Sequence, residues 1–226
     1  MPTNAFIPHA SRLWSALAAF VATAALAPVA AQATGTRAGT EIVNVASASY
    51  RNDDGAVVHL TSNEDRVRVD EVLDVVVAAR DGGPVSVAAP DAGRALAFTV
   101  TNAGNGHESF SLAALTTLSG DQFDPKFRKL AIDVDGDGVY LPGVDVDYVP
   151  GAGDLALEPD QTRVVFIVSD APAELKDGDL GRAQVTATAV TGHGRPGTLF
   201  AGLGDNGGDA LAGRTTARTD AVNAYV

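Results

Sequence analysis

Apolar and polar residues alternate along most of this chain with the period of two that marks a half-buried β-strand. The cleanest case is residues 94–102, where Leu96, Phe98 and Val100 share one face and Ala97, Thr99 and Thr101 the other. Residues 108–115 repeat the pattern with Phe110 and Leu112, and residues 182–190 repeat it with Ala183, Val185 and Ala187. Val67, Val69, Leu73, Val75 and Val77 carry it through residues 66–79, with one break near Glu71, which predicts two collinear strands or one bent strand. Residues 163–169 (RVVFIVS) are almost continuously apolar and suit a central strand. Residues 41–50 and 56–62 predict a strand pair, because the Asp54-Gly55 step between them is a strong hairpin signal. Glycine, proline, asparagine and aspartate punctuate the runs, and no long helix is predicted. Strands with one apolar face each bury it best by packing two antiparallel sheets together, so the chain reads as an all-β sandwich. An antiparallel barrel is the rival architecture.

Two stretches depart from this pattern. Residues 13–26 (LWSALAAFVATAAL) are an apolar core too short to anchor stably in a bilayer, followed by Pro28 and the small-residue site Ala31-Gln32-Ala33. Residues 1–33 therefore read as an export signal, with Thr34 the first mature residue. No later segment is long and apolar enough to span a membrane. Residues 192–213 are glycine-rich without periodicity, and such a length of structureless chain is uncommon inside a compact domain. They are expected to be mobile or laid over the surface, with residues 221–226 forming one more strand. The predicted organisation is a signal at 1–33, a sandwich at 34–191, and a glycine-rich loop with terminal strand at 192–226.

The formal net charge of −12 argues against nucleic acid, whose phosphates repel such a surface. The chain has no cysteine, so neither disulfides nor a thiol nucleophile are available, although export would allow disulfides. Stability must come from the core and from any bound metal.

The most specific chemistry lies in residues 131–148 (AIDVDGDGVYLPGVDVDY). Calcium takes six to eight hard oxygens, and alternate aspartates closed by a glycine aim several at one point. Asp133, Asp135 and Asp137 occupy the first, third and fifth places of such a loop, and Gly138 the sixth. The Val139 carbonyl would be the seventh ligand, and Asp145 or Asp147 would close the site. The flanks are strands, so this is a metal-binding β-hairpin rather than an EF-hand; the alternative is a solvated acidic turn. Residues 204–209 (GDNGGD) could also hold a cation, but fewer carboxylates and more glycine favour a flexible polar loop.

Catalysis finds no support. His59, His107 and His193 are far apart in sequence, and neither a G-x-S-x-G elbow nor an H-E-x-x-H pair is present. A carboxylate pair acting as acid and base is the least favoured reading. The absence of tryptophan beyond residue 14 weakens carbohydrate binding, which leans on aromatic platforms; Tyr140, Tyr148 and Tyr225 keep it as an alternative.

Three stretches carry a family resemblance: Gly39-Thr-Glu-Ile-Val-Asn-Val-Ala-Ser-Ala-Ser-Tyr50 with Ser62-Asn63; Phe98-Thr-Val-Thr-Asn-Ala-Gly-Asn105 with Phe110 and Leu112; and Leu157-Glu-Pro159 before Val164-Val-Phe-Ile167, with Asp160 where glycine is usual. Over residues 39–189 the chain resembles bacterial exported proteins built from Ig-like conserved-repeat domains of unknown function. The resemblance implies an Ig-like antiparallel β-sandwich, on or outside the cell, without catalytic residues. Relatives often carry tandem copies and a surface anchor. Here one core is read, no anchoring tail is seen, and Leu141-Pro-Gly-Val144 lacks the threonine and glycine of a sortase signal. The expectation is a non-enzymatic structural or binding domain of the periplasm or cell surface, stabilised by calcium. A protein partner would dock through an edge strand, and residues 221–226 would supply the pairing.

Overall fold

The computed structural model describes residues 35–226; the predicted export signal lies outside them. Among the described residues no helix is long and apolar enough to cross a membrane.

The chain opens with β1 (Glu41–Asn44), β2 (Ser47–Arg51), β3 (Val57–Thr61) and β4 (Asp65–Arg68). β2 pairs with β3 across the predicted turn, where Gly55 takes a positive φ of 79°, and β1 pairs with β4 behind them. Together they make one long two-stranded arm. β5 (Glu71–Leu73) and β6 (Val75–Ala79) follow, so the run expected as one or two strands is three pieces. The second break falls at Asp74, whose carboxylate accepts the N–H groups of Arg214 and Thr215 at 3.1 and 2.7 Å.

The body then runs through β7 (Asp91–Asn102), β8 (Glu108–Leu115), β9 (Lys126–Ile132), β10 (Val146–Asp147), β11 (Leu155–Leu157), β12 (Thr162–Ala171) and β13 (Gly181–Ala189). It ends with β14 (Leu199–Phe200), β15 (Ala210–Ala212) and β16 (Arg218–Tyr225). One antiparallel sheet has the order β10-β9-β12-β7-β6, and a second has β11-β8-β13-β16. With the short β10 and β11 set aside, β6-β7-β12-β9 and β8-β13-β16 correspond to strands A-B-E-D and C-F-G of an immunoglobulin constant-type sandwich.

The alternating residues explain the layers. Leu96, Phe98 and Val100 of β7 and Val165 and Ile167 of β12 join Phe110 and Leu112 of β8 and Ala183, Val185 and Ala187 of β13 in one core. β12 is central, paired to β7 on one side and β9 on the other. Its run is nearly continuous because its other face is covered too: Phe166 and Val168 lie with Ala97 and Ala131 under Tyr140. The Tyr140 and Phe166 ring centroids are 5.7 Å apart.

The C-terminal stretch differs from expectation. Residues 192–226 are no appendage, since the described chain from residue 35 onward belongs to a single unit. β16 is strand G of the sandwich, paired along one edge with β13 from Gly181↔Tyr225 to Thr188↔Arg218, with the backbone of Val85 bonded to its last residues on the other. The glycine-rich residues form the F–G connection. There β15 pairs in parallel with β5, β14 pairs with β15, and a 3-10 turn covers Asp205–Gly207.

Candidate functional site

The acidic hairpin grows out of the end of β9. Carboxylate oxygens of Asp133, Asp135 and Asp137 lie within 4.8 Å of one another. Asp133 is only 1% exposed, and its two oxygens accept the N–H groups of Gly136 and Gly138 at 2.6 and 2.9 Å. Gly136 and Gly138 have φ of +79° and +73°, which lets the loop curl around that carboxylate without a side-chain clash. Asp135 accepts the Asp137 N–H at 3.3 Å, and Asp137 accepts the Val139 N–H at 2.7 Å. Val139 thus meets the cluster through its N–H. The Arg80 guanidinium donates to the Gly138 carbonyl at 2.6 Å and brings a positive charge to the loop.

The other two predicted ligands lie elsewhere. Asp145 accepts the Leu141 N–H at 2.7 Å and holds the next turn of the hairpin. Asp147 is ion-paired with Lys129 at 2.7 Å on the paired strands β9 and β10. Neither belongs to the cluster of three, and Asp145 Oδ1 is buried without a hydrogen-bond partner.

Two buried glutamates, Glu71 and Glu108, lie near the root of the arm, and Asp205 is bonded to the first of them. Glu71 and Glu108 are 3% and 4% exposed, and the described residues place neither in an ion pair. Glu71 Oε2 accepts the Asp205 N–H at 3.0 Å, and Asp205 Oδ2 accepts the His107 N–H at 3.1 Å. Glu108 Oε1 accepts the Ser109 N–H at 2.8 Å. Glu71 Oε1 and Glu108 Oε2 are buried without any hydrogen-bond partner. Sequence reasoning missed both glutamates although a signal existed. Glu71 shares its strand face with Leu73, and Glu108 shares its face with Phe110 and Leu112, so both charges occupy inward-facing positions.

Burial, reinforced by the charges of Asp205 and Glu108, pushes the Glu71 carboxyl up to about 7. A folded-state value above the usual one favours folding while the group is protonated. That contribution is lost as pH rises from the ordinary glutamate range through 7. In metal-free buffer the melting temperature should therefore fall between pH 5 and pH 8, for a loss on the order of 3 kcal/mol. Glu71→Gln should flatten the fall; an equal slope in that variant would contradict this reading.

The arm is the third feature. Every residue of β1, β2 and β4 is exposed, as is all of β3 except the half-buried Val58. The register places Ala48 opposite Leu60 and Tyr50 opposite Val58, so these four share one face. Tyr50 and Leu60 are 53% and 54% exposed, and Ile42 and Val67 are also uncovered.

The tyrosines named for a sugar platform are otherwise engaged. Tyr148 and Tyr225 are buried, and Tyr140 is packed on Phe166. The Tyr148 hydroxyl donates to Asp154 at 2.9 Å and accepts the Leu112 N–H at 2.8 Å.

No family model matches the chain, and no curated protein matches it. Among solved structures it is similar to the ASH/PapD-like domain of human CEP192 (PapD-like domain 7), with 11% identity and a TM-score of 0.27. The match covers 68% of this chain and 86% of that one.

Proposed function

We propose that this protein is an exported, non-enzymatic Ig-like domain of the conserved-repeat kind that presents its arm to a protein partner at the cell surface or in the periplasm. The observation that carries the reading is the arm itself. An isolated two-stranded hairpin is marginal in water, and this one leaves an amphipathic face uncovered with both outer strand edges unpaired. A partner that adds an extended strand satisfies the backbone edge and covers Tyr50 and Leu60 at the same time. The docking strand of the earlier expectation thereby moves from residues 221–226 to the arm. Tyr50→Asp and Leu60→Asp should each remove the envelope-protein partner retained by the intact chain, with the melting temperature unchanged. Equal retention by both variants would sink the proposal.

Calcium belongs to the same proposal. Each carboxylate oxygen has two lone pairs, so the amide bonds within the Asp133, Asp135 and Asp137 cluster leave acceptors for a hard cation. Three carboxylates crowded together repel one another unless neutralised. Millimolar calcium should raise the melting temperature relative to excess chelator, and Asp135→Asn should shrink that rise. Superimposable curves in calcium and chelator would reduce the hairpin to a solvated turn. The carbohydrate alternative gains no support from Tyr140, Tyr148 and Tyr225, for the reasons given above.

A further inference from the structure

The two ends of β8 have different surroundings. At Glu108 the strand starts beside the root of the arm: Gly106 lies against Glu71, and Asn105 accepts the Val72 N–H at 2.7 Å. At Leu115, a strand length of roughly 23 Å away, it borders a cleft between the two sheets. β11 pairs with β8 only at residues 108–110, and β10 pairs with β9 only at residues 131 and 132. The Tyr148 N–H donates to the Leu130 carbonyl, and its hydroxyl accepts the Leu112 N–H. Beyond those points residues 113–115 of β8 and 126–129 of β9 have no strand on their outer edges among the described residues. Between them opens a cavity of about 400 Å³, walled mostly by apolar groups of Leu112, Ala114, Phe127, Leu130, Tyr148 and Pro150.

A free edge beside an apolar slot is an acceptor for an extended segment: the edge supplies backbone bonds and the slot takes alternate side chains. The arm is such a segment. β2 and β3 have five residues each and unpaired outer edges, with Ala48, Tyr50, Val58 and Leu60 on one face. Tyr50 and Leu60 are exposed and no arm residue lines the cavity, so the arm does not fill the cleft of its own chain. Charge favours the same pairing between copies. Lys126, Arg128 and Lys129 gather on the free stretch of β9, in a chain whose net charge is −12. Arg128 and Lys129 are paired with Asp170 and Asp147, whereas Lys126 is exposed and in none of the ion pairs of the described residues. The arm tip carries Asp53 and Asp54, exposed and likewise outside those pairs. Lysines on a strand edge repel a second copy of that edge, so β9 does not favour another β9. An acidic tip is attracted instead.

We propose that the occupant of the cleft is the arm of a second copy of this chain, which lays β3 along β9 with Leu60 and Tyr50 over the cavity and the tip aspartates toward Lys126. This names the partner of the docking arm and rests on the reading of the arm given above. The donating and accepting surfaces are different and lie at opposite ends of β8, so each docked pair still offers one free arm and one free cleft. Association therefore continues head to tail rather than stopping at two.

The test is sedimentation velocity on the chain from Thr34 onward, beside Leu60→Asp, which spoils the arm, and Phe127→Asp, which spoils the cleft. Both side chains are exposed in the single chain, so both variants should melt like the intact protein. The intact chain should show an average mass that rises with concentration past twice the monomer. Each variant alone should stay monomeric. An equimolar mixture of the two should form a species of twice the monomer mass and stop there, because it holds one working cleft and one working arm. Lys126→Glu, a reversal of an exposed charge, is the second cleft variant and should weaken association of the otherwise intact chain. A mixture that stays monomeric, or an intact chain that is monomeric at every concentration, would overturn the proposal. If Leu60→Asp then still loses an envelope protein that the intact chain retains, the occupant is a different protein and the docking role of the arm stands. If nothing is lost, both fall.

Discussion

A chain truncated before Arg218 should lose cooperative unfolding altogether. β16 contributes the whole outer ladder of the second sheet, from Gly181↔Tyr225 to Thr188↔Arg218. Beyond it the backbone of Val85 donates to Ala224 at 2.8 Å and accepts from Val226 at 2.9 Å. Tyr225 is 2% exposed, and its hydroxyl donates to the Arg94 carbonyl at 3.0 Å, reaching across to the first sheet. Removing the strand exposes the face of β13 and leaves a row of buried backbone groups unpaired, a loss no single domain of this size absorbs. Tyr225→Ala, the milder version, should cost about 3–5 kcal/mol, as large aromatic truncations in a core do. Thermal melts followed by circular dichroism check both; a truncated chain that still melts cooperatively near the intact temperature would mean β16 is peripheral.

The second large effect is expected at Asn102. It is 1% exposed and organises the turn between β7 and β8 from within. Its Nδ2 donates to the carbonyls of Gly106 and Leu157 at 2.8 and 2.9 Å, and its Oδ1 accepts the Gly104 N–H at 2.9 Å. Asn102→Leu keeps the volume but strands three buried backbone groups, so the cost should be about 3–5 kcal/mol. For a domain of this length that lowers the melting temperature by roughly 10 °C. A fall of only a degree or two would show that water takes over those bonds.

Asn102 also shows what the sequence could and could not disclose. The Asn-Ala-Gly-Asn-Gly stretch was readable as a turn, and its logic is now local chemistry. Asn102 pins the turn, Asn105 ties it to residues near the arm, and Gly104 and Gly106 are small because Val72 and Glu71 press against them. Strand β8 falls at the predicted residues, since its alternation is undisturbed by other demands. Asp160 stands where relatives of the resembled family carry glycine, and it adopts a positive φ of 62°.

The misreadings have physical causes. The expected terminal strand is present but starts at Arg218, three residues early, and its period was masked because its buried face carries Asn223, which donates to Asp81 at 2.7 Å. The F–G residues gave no periodicity because glycine presents no side chain to either face; their order comes from hydrogen bonds such as Glu71 to the Asp209 carbonyl at 2.8 Å. The clustering of the three central aspartates was legible because their spacing is local, whereas Asp145 and Asp147 come later in the hairpin, where one accepts the Leu141 N–H and the other pairs with Lys129. The arm was read as ordinary core-forming strands. Alternation shows that a strand has an apolar face, not whether the chain supplies anything to cover it.

The most direct test of the central claim is to delete residues 41–68 and bridge the gap with a short glycine linker. The backbone contacts between Gly39, Thr40 and Val69 bring the two ends together, so the closure should be unstrained. The arm contributes nothing to the main core, so the melting temperature should move by less than about 3 °C, while retention of the envelope-protein partner is lost. Undiminished retention, or collapse of the sandwich on deletion, would contradict the account.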